Sequence, residues 1–209
     1  MNTIDTIRSR RCIRTYTGEP ITEQELETIL VAANASPMGM DLSEGMIQVA
    51  RGRCADIPYE VADMRSFRTA KALDLVTCTG DSLNHILDFS DLEKVFRNVY
   101  VCLNPGGHFI FDILRESEVP SAEPFDFPFD DTITARFSVE REGAFIRLKV
   151  TVFEKGEQQL EEVITETLHD IDAVCALLEE CGFAVLRRAA SLLDDGHHGS
   201  TCYIIAKKA

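Results

Sequence analysis

The chain has 209 residues, enough for one domain with a full hydrophobic core, and its 35 acidic against 21 basic residues give a net charge of −14. So acidic a balance, with no basic face to neutralise phosphates, argues against nucleic acid and anionic membrane as partners and for a small-molecule substrate. The seven cysteines are odd in number, scattered and without a Cys-x-x-Cys pair, which argues against a disulfide framework or structural zinc and for reduced thiols in a cytoplasmic protein.

In chain order, residues 3–11 read as a short polar helix, residues 12–16 as extended chain, and Thr17-Gly18-Glu19-Pro20 as a turn. The charged opening has no apolar stretch, so it reads as neither signal peptide nor anchor, and no later run reaches membrane-spanning length. Thr22 and Glu25 form a capping box for a helix whose apolar face is Leu26, Ile29, Leu30 and Ala33, ending at Ser36-Pro37-Met38-Gly39. Ser43, with Glu44 in the first turn, caps a second helix through Met46, Ile47, Val49 and Ala50. Residues 58–62 read as a strand, with Asp63-Met64 at its carboxyl end.

Residues 73–113 form the central unit. An apolar, β-branched run at 73–78 breaks at Gly80-Asp81-Ser82. Leu92, Val95, Phe96, Val99 and Leu103 recur at helical spacing, Pro105-Gly106-Gly107 stops the helix, and 108–113 is the next strand. Strand, crossover helix and strand predict a right-handed parallel unit whose loop at 79–85 faces any ligand. Residues 117–131, rich in proline, phenylalanine and acids, read as a loop or lid. Residues 132–142, 144–154 and 159–169 alternate as an antiparallel ribbon. A last helix at 171–181 precedes two closing strands at 183–190 and 200–207, with His197-His198 in a surface turn between them.

Four series carry a resemblance: Asp41-Leu42-Ser43-Glu44-Gly45-Met46; Val61-Ala62-Asp63-Met64; Asp74-Leu75-Val76 with Asp81-Ser82-Leu83-Asn84; and Leu103-Asn104-Pro105-Gly106-Gly107. From about residue 40 to 209 the chain resembles the class I S-adenosylmethionine-dependent methyltransferases. The resemblance implies an α/β, Rossmann-like sheet with a small antiparallel insertion at about 115–169, and methyl transfer to a small-molecule acceptor. It implies further that Asp41 accepts from the ribose hydroxyls, that Asp63 accepts from the adenine amino group beside a Met64 backbone donor, and that Met46 packs on adenine. Thr79, Gly80 and Asp81 would contact the methionine part through backbone. His85, at the site mouth, is the candidate proton acceptor. Taken as residues alone, each also fits a plainer role: a solvated loop acid, a core methionine, a turn, a helix-surface histidine. No metal ligand set is read.

The resembled family opens with a strand ending in an acidic, glycine-rich loop, Asp/Glu-x-Gly-x-Gly-x-Gly in character. This chain has none, which predicts weak or absent cofactor binding unless Thr17-Gly18-Glu19 substitutes. The first forty residues instead resemble the N-terminus of the flavin-dependent nitroreductases, through Ser9-Arg10-Arg11-Cys12-Ile13-Arg14-Thr15-Tyr16, Ile21-Thr22-Glu23-Gln24-Glu25-Leu26 and Ala32-Ala33-Asn34-Ala35-Ser36-Pro37-Met38-Gly39-Met40. That resemblance implies FMN, its phosphate gripped by Arg10, Arg11, Cys12 and Arg14, with Cys12 where the family has serine. Together the two predict a chimera in which residues 1–40 stand in for the first β–α unit of a domain at 41–209. Three functions follow: a methyltransferase impaired by the lost loop, an FMN-dependent oxidoreductase, or a remnant that folds, as a homodimer, without binding cofactor.

Overall fold

The computed structural model describes residues 38–55, 57–115, 122–189 and 201–209. The nitroreductase-like motifs up to residue 37, the helix capped by Thr22, Thr17-Gly18-Glu19 and His197-His198 lie outside the described residues.

Strand β1 (Gly39–Asp41) runs into helix α1 (Glu44–Arg53) and then β2 (Tyr59–Val61), which lies parallel to β1 with Asp41 opposite Val61. The expected cap is present, Ser43 Oγ accepting the Met46 N–H at 3.3 Å, with Glu44 favourable at the positive end of the helix. Strand β3 (Leu73–Cys78), a 3-10 turn at Ser82–His85, helix α2 (Phe89–Cys102) and strand β4 (Leu103–Leu114) form the predicted parallel crossover. The expected break at Pro105-Gly106-Gly107 falls elsewhere. Helix α2 passes directly into β4 at Leu103, and the three residues instead interrupt the β3–β4 ladder, whose register jumps between Leu73 and Leu75.

Helix α2 buries Leu92, Val95, Phe96 and Val99, the i, i+3, i+4, i+7 stripe, against Phe109, Phe111 and Ile113 of β4. The Phe109 and Phe111 ring centroids are 4.8 Å apart, and Phe96 lies 5.9 Å from Phe111. Each of these fully buried side chains contributes about 1.5–3 kcal/mol of transfer free energy. Helix α3 (Ile171–Glu180) adds Val174 and Leu178 to the same core.

Between β4 and α3 lies a four-stranded meander of β5 (Ala122–Pro128), β6 (Ile133–Glu142), β7 (Phe145–Glu154) and β8 (Glu157–Thr167), paired in that order. Three of these strands follow the predicted ribbon. The first corrects the reading of 117–131 as a loop: as the edge strand of the meander it tolerates prolines, and its register shifts between Ala122 and Phe125, across Pro124. The closing strands are β9 (Phe183–Ala189) and β10 (Thr201–Lys208), and β10 inserts antiparallel between β4 and β9. The described strands thus form the order β3-β4-β10-β9, the separate parallel pair β1-β2, and the meander. Among the described residues no strand pairs β1 with β3.

Candidate active site

Parallel strands β1 and β2 deliver two acidic loops side by side at their carboxyl ends, where open α/β sheets bind ligands. The Ala62 N–H extends the ladder by donating to the Asp41 carbonyl at 3.0 Å. The exposed Asp41 carboxylate accepts the Ser43 N–H on Oδ1 at 2.7 Å. A carboxylate offers about four lone-pair sites, so this one keeps most of its acceptor capacity. Met46 stands exposed on the first turn of α1, with 59% of its surface free to cover a ligand face.

Asp63 is already engaged. Arg65 donates to it from its backbone N–H at 2.8 Å and from Nη2 at 2.6 Å, and reaches on to Asp91 on α2 at 3.2 Å. The Arg65 hydrogen bonds hold the Asp63 carboxyl below the usual carboxylate range. Arg65 thereby ties the β2 loop to the crossover helix. Met64 is half-buried against the core, and its carbonyl accepts the Asn98 side chain at 3.4 Å.

The loop after β3 is built on a residue that sequence reasoning missed. Asp112, 6% exposed on β4, accepts the Gly80 N–H on Oδ2 at 3.1 Å and the Asp81 N–H on Oδ1 at 3.0 Å. Both loop residues take positive φ, 76° and 59°, which the twin hydrogen bond holds in place. Two backbone donors expected to meet a ligand are therefore turned inward, and the Thr79 carbonyl is taken by the Ser82 hydroxyl at 2.8 Å. Beneath them, burial and then the Asp112 charge push the Cys78 thiol up to about 11.

The 3-10 turn joins this loop to the meander. Fully buried Asn84 donates to the Thr167 carbonyl at 2.8 Å and accepts the Leu114 N–H at 3.0 Å, so one amide clamps the ends of β8 and β4. Thr167 Oγ1 donates to the Leu87 carbonyl at 3.1 Å, and His169 Nε2–H donates to the Ile86 carbonyl at 2.8 Å. Burial holds the His169 imidazole below its ordinary value. The clamp sets His85, with 47% of its side chain exposed, 3.7 Å from Glu166 Oε1 on β8. Burial raises the Glu166 carboxyl, His85 opposes that shift and Asp81 adds to it. Thr79, Gly80, Asp81 and His85 thus share one loop, and Asp41, Met46, Asp63 and Met64 share the β1–β2 ends. Glu166 and Asn84 escaped sequence reasoning because their partners lie far along the chain. The available signal for Asp112 was a lone carboxylate inside the apolar run Phe109–Ile113.

Among the described residues no group of three His, Cys, Asp or Glu side chains could hold a metal ion, and no helix is long and apolar enough to cross a membrane.

Residues 24–107 match the family described as methyltransferase domain. A protein of Geobacillus sp. (strain WCH70), described by inference as a methyltransferase, is 26% identical over 192 residues, covering 81% of this chain and 74% of that protein. The dTDP-4-amino-2,3,4,6-tetradeoxy-D-glucose N,N-dimethyltransferase of Saccharopolyspora spinosa is 29% identical over 126 residues, 59% of this chain; the chain spans 46% of that relative. Among solved structures, an S-adenosylmethionine-dependent methyltransferase from Clostridium acetobutylicum ATCC 824 superposes with a TM-score of 0.74 at 22% identity, covering 86% of this chain and 78% of that one.

Proposed function

We propose that this chain, an S-adenosylmethionine-dependent methyltransferase by its matched domain, its relatives and its fold, methylates a small molecule at the mouth formed by the loop after β3, the 3-10 turn and the end of β8. The observation that carries this reading is the pair of acidic loops on adjacent parallel strands, Asp41 and Asp63, with Arg65 tying the β2 loop to Asp91 of the crossover helix that follows β3.

The residues present fit the adenosine half of the cofactor. Asp41 has unused acceptor capacity for the two ribose hydroxyls. Met46 offers an exposed thioether side chain to the base, and the Asp63–Met64 corner follows β2, whose Val61 pairs with Asp41. Asp63 enters this role already ion-paired, so Arg65 fixes its orientation while lowering its appetite for a further donor. When bound, S-adenosylmethionine supplies a sulfonium-activated methyl group, and the protein's task is alignment and proton removal. His85, half exposed at the mouth, is the residue that accepts the acceptor's proton and passes it to solvent. The small-molecule reading is supported by the relative whose name specifies an amino sugar.

Calorimetric titration with S-adenosylhomocysteine tests the proposal. Micromolar binding that falls at least about tenfold in Asp41→Ala, the loss of one charge-assisted hydrogen bond, is the expected result. Binding unaffected by that change would move the site elsewhere, and no heat at millimolar ligand would mean that the lost glycine-rich loop has ended cofactor binding.

A further inference from the structure

One face of the meander is apolar and half open to solvent. Strand alternation and the cross-strand register set Phe125 and Phe127 of β5, Phe137 of β6, Val150 and Val152 of β7 and Leu160 of β8 on the same side. Phe125, Phe127 and Leu160 are 51%, 50% and 54% exposed, and none of the six side chains belongs to the main core. Phe125 is stacked on Phe137 with ring centroids 5.4 Å apart, so the aromatic surface is formed before anything meets it. The charges of the meander lie elsewhere. The ion pairs Asp126–Arg136, Glu142–Arg147 and Lys149–Glu161 all stand on the opposite face. On the apolar face Arg141, Glu154, Glu162 and Glu166 keep to strand ends and to the β8 edge.

We propose that this face is where two copies of the chain meet, their meanders packing face to face about a two-fold axis as the two sheets of a sandwich do. The inference goes beyond the reaction assigned above and does not depend on it. A second copy is the occupant that charge selects. Each chain carries a net charge of −14, so two copies repel wherever their acids meet, and a surface uncharged at its centre is where like approaches like at least cost. A basic partner would be drawn to the acidic surface instead, and finds no charge to pair with at the centre of this patch. Area points the same way. Strands β6 and β7 are each 10 residues long. Four such strands about 4.8 Å apart, rising about 3.3 Å per residue, span about 600 Å² in projection. Accessible area exceeds projection, which brings this face to the scale of the ~800 Å² that each partner gives to a standard interface and to the upper end of the apolar patches that monomers expose.

Two variants of one strand decide it, each made in the full chain. Leu160 and Val163 on β8 are both 54% exposed and stand on opposite faces. In sedimentation equilibrium the unaltered chain should show twice its mass of 23.3 kDa. Leu160→Lys sets an unpaired charge inside the interface, so it should raise the dissociation constant about a hundredfold or more and return the single-chain mass. Val163→Lys should keep the doubled mass. Both changes make the chain less negative, so a loss confined to Leu160→Lys does not arise from general repulsion. Circular dichroism checks that each variant folds, and Phe127→Lys, on another strand of the same face, takes the place of Leu160→Lys if that one does not. A single-chain mass for the unaltered protein overturns the proposal, whatever else then covers the face. So does a doubled mass that survives in Leu160→Lys and Phe127→Lys, or one that is lost equally in Val163→Lys.

Discussion

Replacing Asn84 by alanine should loosen the site more than any change on its surface. The side chain is fully buried and serves two backbone groups, the Thr167 carbonyl at 2.8 Å and the Leu114 N–H at 3.0 Å. Alanine leaves both without a partner in a place water does not reach. At about 1–3 kcal/mol for each orphaned group, the loss is about 2–6 kcal/mol. For a domain of this size each kcal/mol lowers Tm by about 2–4 °C, so melting should fall by roughly 4–24 °C. Urea denaturation followed by circular dichroism reads the same quantity as a shifted midpoint. Asn84→Asp supplies the control. It keeps the acceptor for Leu114 but sets a carboxylate against the Thr167 carbonyl, so its stability should recover as pH falls and the protonated acid can donate again. A midpoint within about 0.5 kcal/mol of the unaltered chain, the range of an ordinary surface change, would refute the clamp.

Three further outcomes are expected. Gly182 has φ +96° just beyond α3, and a Cβ there would lie 2.8 Å from the Tyr100 ring, so Gly182→Ala should cost at least about 1–2 kcal/mol in urea denaturation; no loss would mean that Tyr100 moves freely. Because burial raises the Glu166 carboxyl, the native chain holds more protons than the unfolded one between the two values, and its stability falls as pH rises through that window. Glu166→Gln should therefore match the unaltered chain in acid and exceed it at neutral pH, whereas parallel stability curves would contradict the buried charge. Asp112→Ala should raise amide exchange at Gly80 and Asp81 by about tenfold or more, and unchanged protection would show that the loop holds itself.

The parts of this fold legible in the sequence are those with local causes. The stripe Leu92, Val95, Phe96, Val99 dictates α2 by its spacing, Ser43 and Glu44 dictate the start of α1, and alternation over β6 and β7 dictates a ribbon. Strand β5 escaped because Pro124 and Pro128 read as loop, and only its edge position, a property of the whole meander, makes them tolerable. Within the site, the acidic residues at strand ends could be placed by pattern, but what each one binds could not. Nothing near Asp63 in sequence announces that Arg65 also reaches Asp91, and nothing near Gly80 announces Asp112. Glu166 reads as one more polar residue on an exposed strand until the fold brings it to His85.

The place of β10 dictates an order of assembly. Among the described residues strand β9 meets its sheet only through β10, and β10 must find β4 across all the chain between Leu114 and Thr201. Closing so long a loop is entropically slow, whereas the crossover of β3, α2 and β4 and the hairpins of the meander pair close neighbours and can form early. During that interval β4 carries Phe109, Phe111 and Ile113 beside an unpaired edge, an open template for another molecule. Arrival of β10 ends the exposure, and Lys208 then fastens it by donating to the Tyr100 and Leu103 carbonyls at 2.7 and 2.8 Å. Changes that weaken this strand should reduce the yield of folded protein before they reduce the stability of what has folded.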